Sequence, residues 1–177
     1  VKEHKDLPSV SLPDIEWNPL THSLLQVRGP SGSGKTTMGY AVADYYRSLG
    51  YSVAFIESNP HLPYTSVREV YSFNPNIKSL IDGLDLNIDE ELDVMLLSNG
   101  ERQRLLIGLA LTTDQDLIVL DEGLSALDSE SLTSVFKVLQ SSEIPLLFIS
   151  HQINAIDFMD DTTAQDISLT ILKSKGN

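Results

Sequence analysis

Eight consecutive residues, Gly29-Pro30-Ser31-Gly32-Ser33-Gly34-Lys35-Thr36, satisfy the pattern G-x-x-x-x-G-K-[ST] at every fixed position. Such a loop lets backbone N–H groups converge on an anion at a helix N-terminus, and the lysine adds a positive charge. The chemistry is that of holding a phosphate chain. Lys35 would reach the β- and γ-phosphates, and the Thr36 hydroxyl would take one position on Mg²⁺. Elsewhere, the apolar run Asp116-Leu117-Ile118-Val119-Leu120-Asp121-Glu122 ends in two adjacent carboxylates, which suit a site at a strand's C-terminal edge. His151 follows a second apolar run, 145–149, at what should be the same edge, so a phosphate contact is expected of it rather than a bare loop position. Ser98-Asn99-Gly100-Glu101 has the spacing of a capping box, and a helix start so built can also face an anion.

The elements that must carry these residues are legible in the pattern. Residues 23–28 read as a short buried strand and 37–49 as a helix ending at Gly50, which gives the loop the strand-loop-helix setting its motif requires. A second strand is expected over 52–56. Asn59-Pro60-His61-Leu62-Pro63 then breaks the pattern, with His61 a loop residue, before a helical stretch at 66–71. Short apolar-spaced segments from 76 to 97 predict two small helices outside the main sheet, followed by a helix with Leu105, Leu106, Leu109 and Ala110 on one side. Asp128 is placed to cap a helix running to about residue 140. Residues 167–172 make one further strand, and Pro8, Pro13 and Pro19 make residues 1–22 an extended lead-in. Trp17, the only tryptophan, either covers the core edge or stacks on adenine.

Composition narrows the classes. At 177 residues with 41% hydrophobic residues, one domain with a sizeable core is expected. The 12 basic and 25 acidic residues leave a net charge of −13, which argues against a surface built to hold nucleic acid. No cysteine is present, so disulfides and thiolate zinc sites are excluded. No apolar run reaches the roughly 18 to 20 residues of a membrane-spanning helix, and the N-terminus lacks the basic-then-apolar pattern of a secretory signal. Val1 in place of an initiator methionine is expected of a processed product or an excised domain.

In their order, these motifs resemble the ATP-binding domain of ABC proteins, over about residues 24–151. Residues 29–36 resemble Walker A, Leu97-Ser98-Asn99-Gly100-Glu101 the LSGGQ signature, and 117–122 Walker B with the catalytic glutamate. Residues 125–128 resemble the D-loop and His151 the switch histidine. Arg102-Gln103-Arg104 and the stretch 59–69 look most like exporter-type members. The resemblance implies an α/β fold: a P-loop NTPase core with a mostly parallel sheet flanked by helices, plus a small helical subdomain at about 59–112. Only 23 positions separate Lys35 from Ser58, so the antiparallel β part near adenine is expected to be reduced.

The roles the resemblance implies are these. Residues 29–36 and Thr37 bind ATP. Thr36 and Asp121 hold Mg²⁺, Glu122 polarises the attacking water, and Lys35 and His151 contact the phosphates. Ser98, Asn99, Gly100 and Glu101 complete the site of a second ABC ATPase domain, in a homo- or heterodimer with Asp128 in its D-loop. Ser58 stands where the family has the Q-loop glutamine, and Asn99 and Glu101 replace a glycine and a glutamine of the signature. The implied function is an ATPase that drives a transmembrane transporter domain, fused or separate, from the cytoplasmic side of a membrane. A soluble ABC ATPase acting on nucleic acid or ribosomes is the alternative, disfavoured by the acidic charge. A small-molecule kinase would have no use for the signature or for His151, and a purely sensing module none for Glu122.

Overall fold

Strands Leu117–Asp121 (β5) and Leu146–Ile149 (β6) are buried at every residue, as apolar runs must be when both faces of a parallel sheet are covered. A computed structural model describes residues 6–12, 15–159 and 164–169. In chain order the elements begin with β1 (Val10–Leu12), β2 (Ile15–Trp17) and β3 (Leu24–Arg28). Helix α1 (Lys35–Ser48) leads to β4 (Val53–Ile56) and α2 (Val67–Phe73). Two 3₁₀ turns, Pro75–Leu80 and Val94–Leu96, precede α3 (Asn99–Thr112), and β5 follows it. Helix α4 (Ser129–Ser141), β6, a 3₁₀ turn at Ala155–Phe158 and β7 (Ala164–Ser168) complete the described chain.

Among the described residues the main sheet has five parallel strands in the order β4-β5-β6-β3-β7. Its register sets Val27 beside Ile149, Asp121 beside Ile149, and Ile56 beside Leu120, so the strands end along one edge. The phosphate loop, residues 57–58, the two carboxylates and His151 all leave the sheet from that edge. Two apolar clusters cover its faces. Tyr46, Val42 and Ala43 of α1 pack on one, and Phe136 and Val135 of α4 join Leu105 and Ile107 of α3 on the other. Each fully buried side chain of this size contributes ~1.5–3 kcal/mol.

The proline-spaced lead-in holds more structure than an extended segment, because β1 and β2 form an antiparallel pair with Val10 opposite Trp17. Pairing buries Val10, Ile15 and Trp17 against α1, and that burial offsets the cost of ordering the segment. The segment from 76 to 97 has 3₁₀ turns where small helices were expected. The strand expected at 167–172 is centred earlier, at 164–168, where it pairs with β3, and residues 170–172 lie outside the described residues.

Trp17 is 1% exposed, its indole N–H donates to the His22 carbonyl at 2.7 Å, and its ring meets Tyr46 edge-on at 6.3 Å. No ring face remains for adenine, so the stacking alternative is corrected to the core-edge one: packing of the β1-β2 pair on α1 buries the indole and satisfies its N–H with one carbonyl. As the only tryptophan it reports on itself. Its emission should be blue-shifted, resist acrylamide quenching and stay unchanged when MgATP is added; quenching by nucleotide would contradict the burial.

Candidate functional site

The phosphate loop is built around a backbone that only glycine tolerates at its start. Gly29 has φ +154°, and a Cβ there would lie 2.5 Å from the Leu169 carbonyl oxygen and 2.8 Å from Ser33 Oγ. Gly34 stands at the N-cap of α1 with no side-chain cap, whereas α2, α3 and α4 are capped by Ser66, Ser98 and Asp128. The first amides of α1 are therefore left facing the loop, and the helix dipole favours an anion there. Lys35 is only 7% exposed, and its ammonium curls back to donate to the carbonyls of Gly29 at 2.9 Å and Pro30 at 3.0 Å.

Carboxylates and an imidazole gather around that charge. Glu122 Oε1 lies 3.9 Å from Lys35 Nζ, and Glu122 Oε2 lies 2.8 Å from His151 Nδ1. Asp121 is 5% exposed, and its Oδ1 is buried without a hydrogen-bond partner. Burial pushes its pKa up, opposed by a hydrogen bond from Thr36, while the charge of Glu122 adds to the rise and that of Lys35 opposes it. An orphaned buried carboxylate oxygen beside a threonine hydroxyl fits a hard divalent cation. Among the described residues no cluster of three His, Cys, Asp or Glu side chains is placed to hold a metal.

A cleft of about 740 Å³ opens over the loop. Ser31, Gly32, Gly34, Lys35, Thr36 and Thr37 line one side, and Ser58, Glu122 and His151 lie along the sheet edge. Asn99 and Gly100 line it too, so the start of α3 borders the phosphate loop of its own chain. No phenylalanine, tyrosine or tryptophan is among the described lining groups. Pro30 and Ser33 do not line the cleft: the Pro30 carbonyl takes Lys35, and Ser33 Oγ is buried without a partner.

Helix α3 starts with a complete capping box. Ser98 Oγ accepts from the Glu101 amide at 3.2 Å, and Glu101 Oε2 accepts from the Ser98 amide at 2.8 Å and hydroxyl at 2.6 Å. These two hydrogen bonds from Ser98 hold the Glu101 carboxyl below its ordinary range. Both side chains are thus engaged within one turn, leaving Asn99 and Gly100 to face the cleft. Asp128 spends its carboxylate on the Ser131 amide at 2.8 Å as the cap of α4, and it does not line the cleft.

Gln103 and Gly123 complete the surroundings and were not among the sequence-derived candidates. Gln103 is buried on α3, and its Nε2 donates to the carbonyls of Glu57 at 2.9 Å and Glu122 at 3.3 Å. Residues 122–124 turn through φ values of 55°, 107° and 55°, and left-handed Glu122 and Leu124 cost ~1–3 kcal/mol each. Tyr40 stacks on Phe55 at 4.3 Å and donates its hydroxyl to Glu57. The helical spacing that puts Gln103 one turn beyond Asn99 was the available signal.

The family model described as ABC transporter matches residues 12–125. The chain belongs to the ABC transporter family. It is an ATP-binding domain of that family and an ATPase by class. It is 30% identical over 209 aligned residues to the mating factor M secretion protein mam1 of Schizosaccharomyces pombe, covering 99% of this chain and 15% of that protein. It is 27% identical to the zinc import ATP-binding protein ZnuC of Rickettsia conorii, covering 79% of this chain and 69% of the relative. A bacterial Atm1-family ABC exporter solved with ATP bound shares the fold, with a TM-score of 0.69 at 18% identity over 88% of this chain and 34% of its own. The chain thus spans a small part of the longer relatives. Among the described residues no helix is long and apolar enough to cross a membrane.

The raised pKa of Asp121 has a sign that can be checked. A carboxyl whose folded pKa lies above its unfolded one binds more protons when folded, so its ionisation destabilises the fold as pH rises. Without metal or nucleotide, Asp121→Asn should melt a few degrees above the wild type near neutral pH. The gap should close as pH falls toward the unfolded carboxyl value of about 4. A variant melting below the wild type at neutral pH would contradict the uncompensated burial.

Proposed function

We propose that this ABC-type domain hydrolyses ATP with Mg²⁺ at the cleft over residues 29–36, and that two such domains sandwich the nucleotides to drive a transmembrane partner. The whole chain is read as one ATPase domain, with a helical subdomain at about residues 59–112. The observation that carries the catalytic assignment is Glu122, held between the Lys35 ammonium at 3.9 Å and His151 Nδ1 at 2.8 Å.

The reaction is attack of water on the γ-phosphorus, with cleavage of its bond to the β–γ bridging oxygen and release of ADP and phosphate. Positioning and charge compensation carry such a transfer more than covalent chemistry does. The amides at the start of α1 and the Lys35 ammonium bind and orient the phosphates. Glu122 accepts a hydrogen bond from the attacking water and aims it, while His151 holds the carboxylate and is read as a γ-phosphate contact. Asp121 and Thr36 would hold Mg²⁺, which supplies charge neutralisation on the phosphate oxygens when bound.

What supports a transporter setting is the family and the kind of relatives it contains, together with a second cleft. Asn59, Pro60, His61, Leu62, Val94, Met95 and Arg102 line about 170 Å³ next to Ser58, and Met95 and Leu96 are exposed apolar residues beside it. We read the partner as a transmembrane domain, fused or separate, with this domain on the cytoplasmic side of a membrane. The resemblance of 59–69 to exporter-type members favours export.

The lining of the cleft by Asn99 and Gly100 of the same chain favours a second reading, in which one chain completes its own site. Glu122→Gln separates the two, because slowed hydrolysis should let ATP hold a sandwich together. Light scattering with saturating MgATP should report a dimer that reverts to monomer without nucleotide. A variant that binds MgATP yet stays monomeric would overturn the sandwich and favour the one-chain site.

A further inference from the structure

Glu122 sits on a turn that does not hold itself. Residues 122–124 are all left-handed, and two of the three carry side chains that disfavour that conformation. Three anchors determine the turn. The Glu122 amide donates to the Ile149 carbonyl at 2.8 Å, and Leu124 is buried in the core at 1% exposure. The third anchor comes from α3: Gln103 Nε2 donates to the Glu122 carbonyl at 3.3 Å. The Gln103 amide also fills the space over Gly123, where a Cβ would lie 2.1 Å from Gln103 Oε1 and 2.3 Å from Nε2. A side chain at position 123 would be strained at φ 107° and would displace the Gln103 amide.

The same Gln103 nitrogen donates to the Glu57 carbonyl at 2.9 Å. Glu57 directly precedes Ser58, and Ser58 lines the cleft. One primary amide, 1% exposed, thus bridges the segment carrying the hydrolytic carboxylate and the segment carrying Ser58. A buried amide is costly to leave unpaired, so the two carbonyls and the amide hold one another in register. An apolar residue would fill the same helix position without that constraint. Gln103 also lies one turn along α3 from Asn99 and Gly100, so the start of α3 and the position of Glu122 are joined by a rigid link.

We propose that Gln103 is a positioning residue for ATP hydrolysis: its buried amide fixes the turn that aims Glu122 and ties that turn to the Ser58 segment through α3. The inference rests on the assignment of Glu122 as the residue that aims the water. Nucleotide binding does not depend on it, because Lys35 and the loop amides are held by other contacts. Hydrolysis does, because a misplacement of about 1 Å at the reacting atoms costs roughly a hundredfold in rate.

The test compares Gln103→Met, which keeps the volume and removes the donor, with Gln103→Glu, which sets a carboxylate against the two carbonyls. The wild type and Glu122→Gln serve as references, and each protein is measured for steady-state ATPase, MgATP affinity by calorimetry, thermal midpoint and amide hydrogen exchange. Gln103→Met should keep MgATP affinity within about twofold while kcat falls by about tenfold or more. Exchange should quicken at residues 121–125 and stay unchanged in the central strands, and Gln103→Glu should be slower still. A kcat within about twofold of wild type in Gln103→Met overturns the inference. So does a fall in kcat matched by lost affinity and exchange protection throughout the chain in both variants, since that marks a merely structural residue. If Glu122→Gln hydrolyses ATP at the wild-type rate, the assignment of Glu122 falls first and the positioning role falls with it.

Discussion

A buried ammonium at the start of a helix is the constraint around which this domain is arranged. Lys35 cannot be left in an apolar setting unpaired, and the chain answers with two backbone carbonyls, those of Gly29 and Pro30, and a carboxylate at 3.9 Å. Those carbonyls are available because Gly29 adopts a backbone that other residues would fill with a clashing Cβ. The helix behind the lysine carries no side-chain cap, so its free amides and dipole add to the positive field. On the proposed reading, the result is a preorganised cradle for polyanions in a protein whose net charge is −13. Local geometry, rather than overall charge, decides what binds there.

The sheet places the remaining chemistry around that cradle. Five parallel strands ending on one edge bring Asp121, Glu122 and His151 within reach of Lys35 although more than a hundred residues separate the lysine from the histidine. The burial that makes β5 a good central strand also strands one oxygen of Asp121 in a dry site, which is what a cation ligand needs and what an unliganded fold tolerates poorly. If Asp121 holds the metal as proposed, stability and function pull against each other at that residue.

Much of this was legible in the sequence, and the reasons differ by element. The phosphate loop and the strands β3, β5 and β6 could be read because their signals are local: fixed glycines, a lysine-threonine pair and uninterrupted apolar runs. The Ser98-Glu101 capping box was readable for the same reason, and its hydrogen bonds are those expected. The β1-β2 pair was not, since three prolines mask two strands that are three residues each and that pack on α1. Trp17 could be narrowed to two roles but not decided, because the choice depends on Tyr46 and the His22 carbonyl meeting it in space. Gln103 was invisible as a site residue, since its partners, Glu57 and Glu122, are 46 and 19 positions away and are contacted through backbone carbonyls that no motif records.

The most direct test of the cradle is calorimetric titration of MgATP into the wild-type chain and into Lys35→Ala, with circular dichroism to establish that both are folded. Removing the ammonium takes away charge-assisted hydrogen bonds worth ~1.5–3 kcal/mol, so affinity should fall by at least about tenfold. An equal MgATP affinity in a folded Lys35→Ala protein would contradict the assignment of residues 29–36 as the phosphate-binding loop.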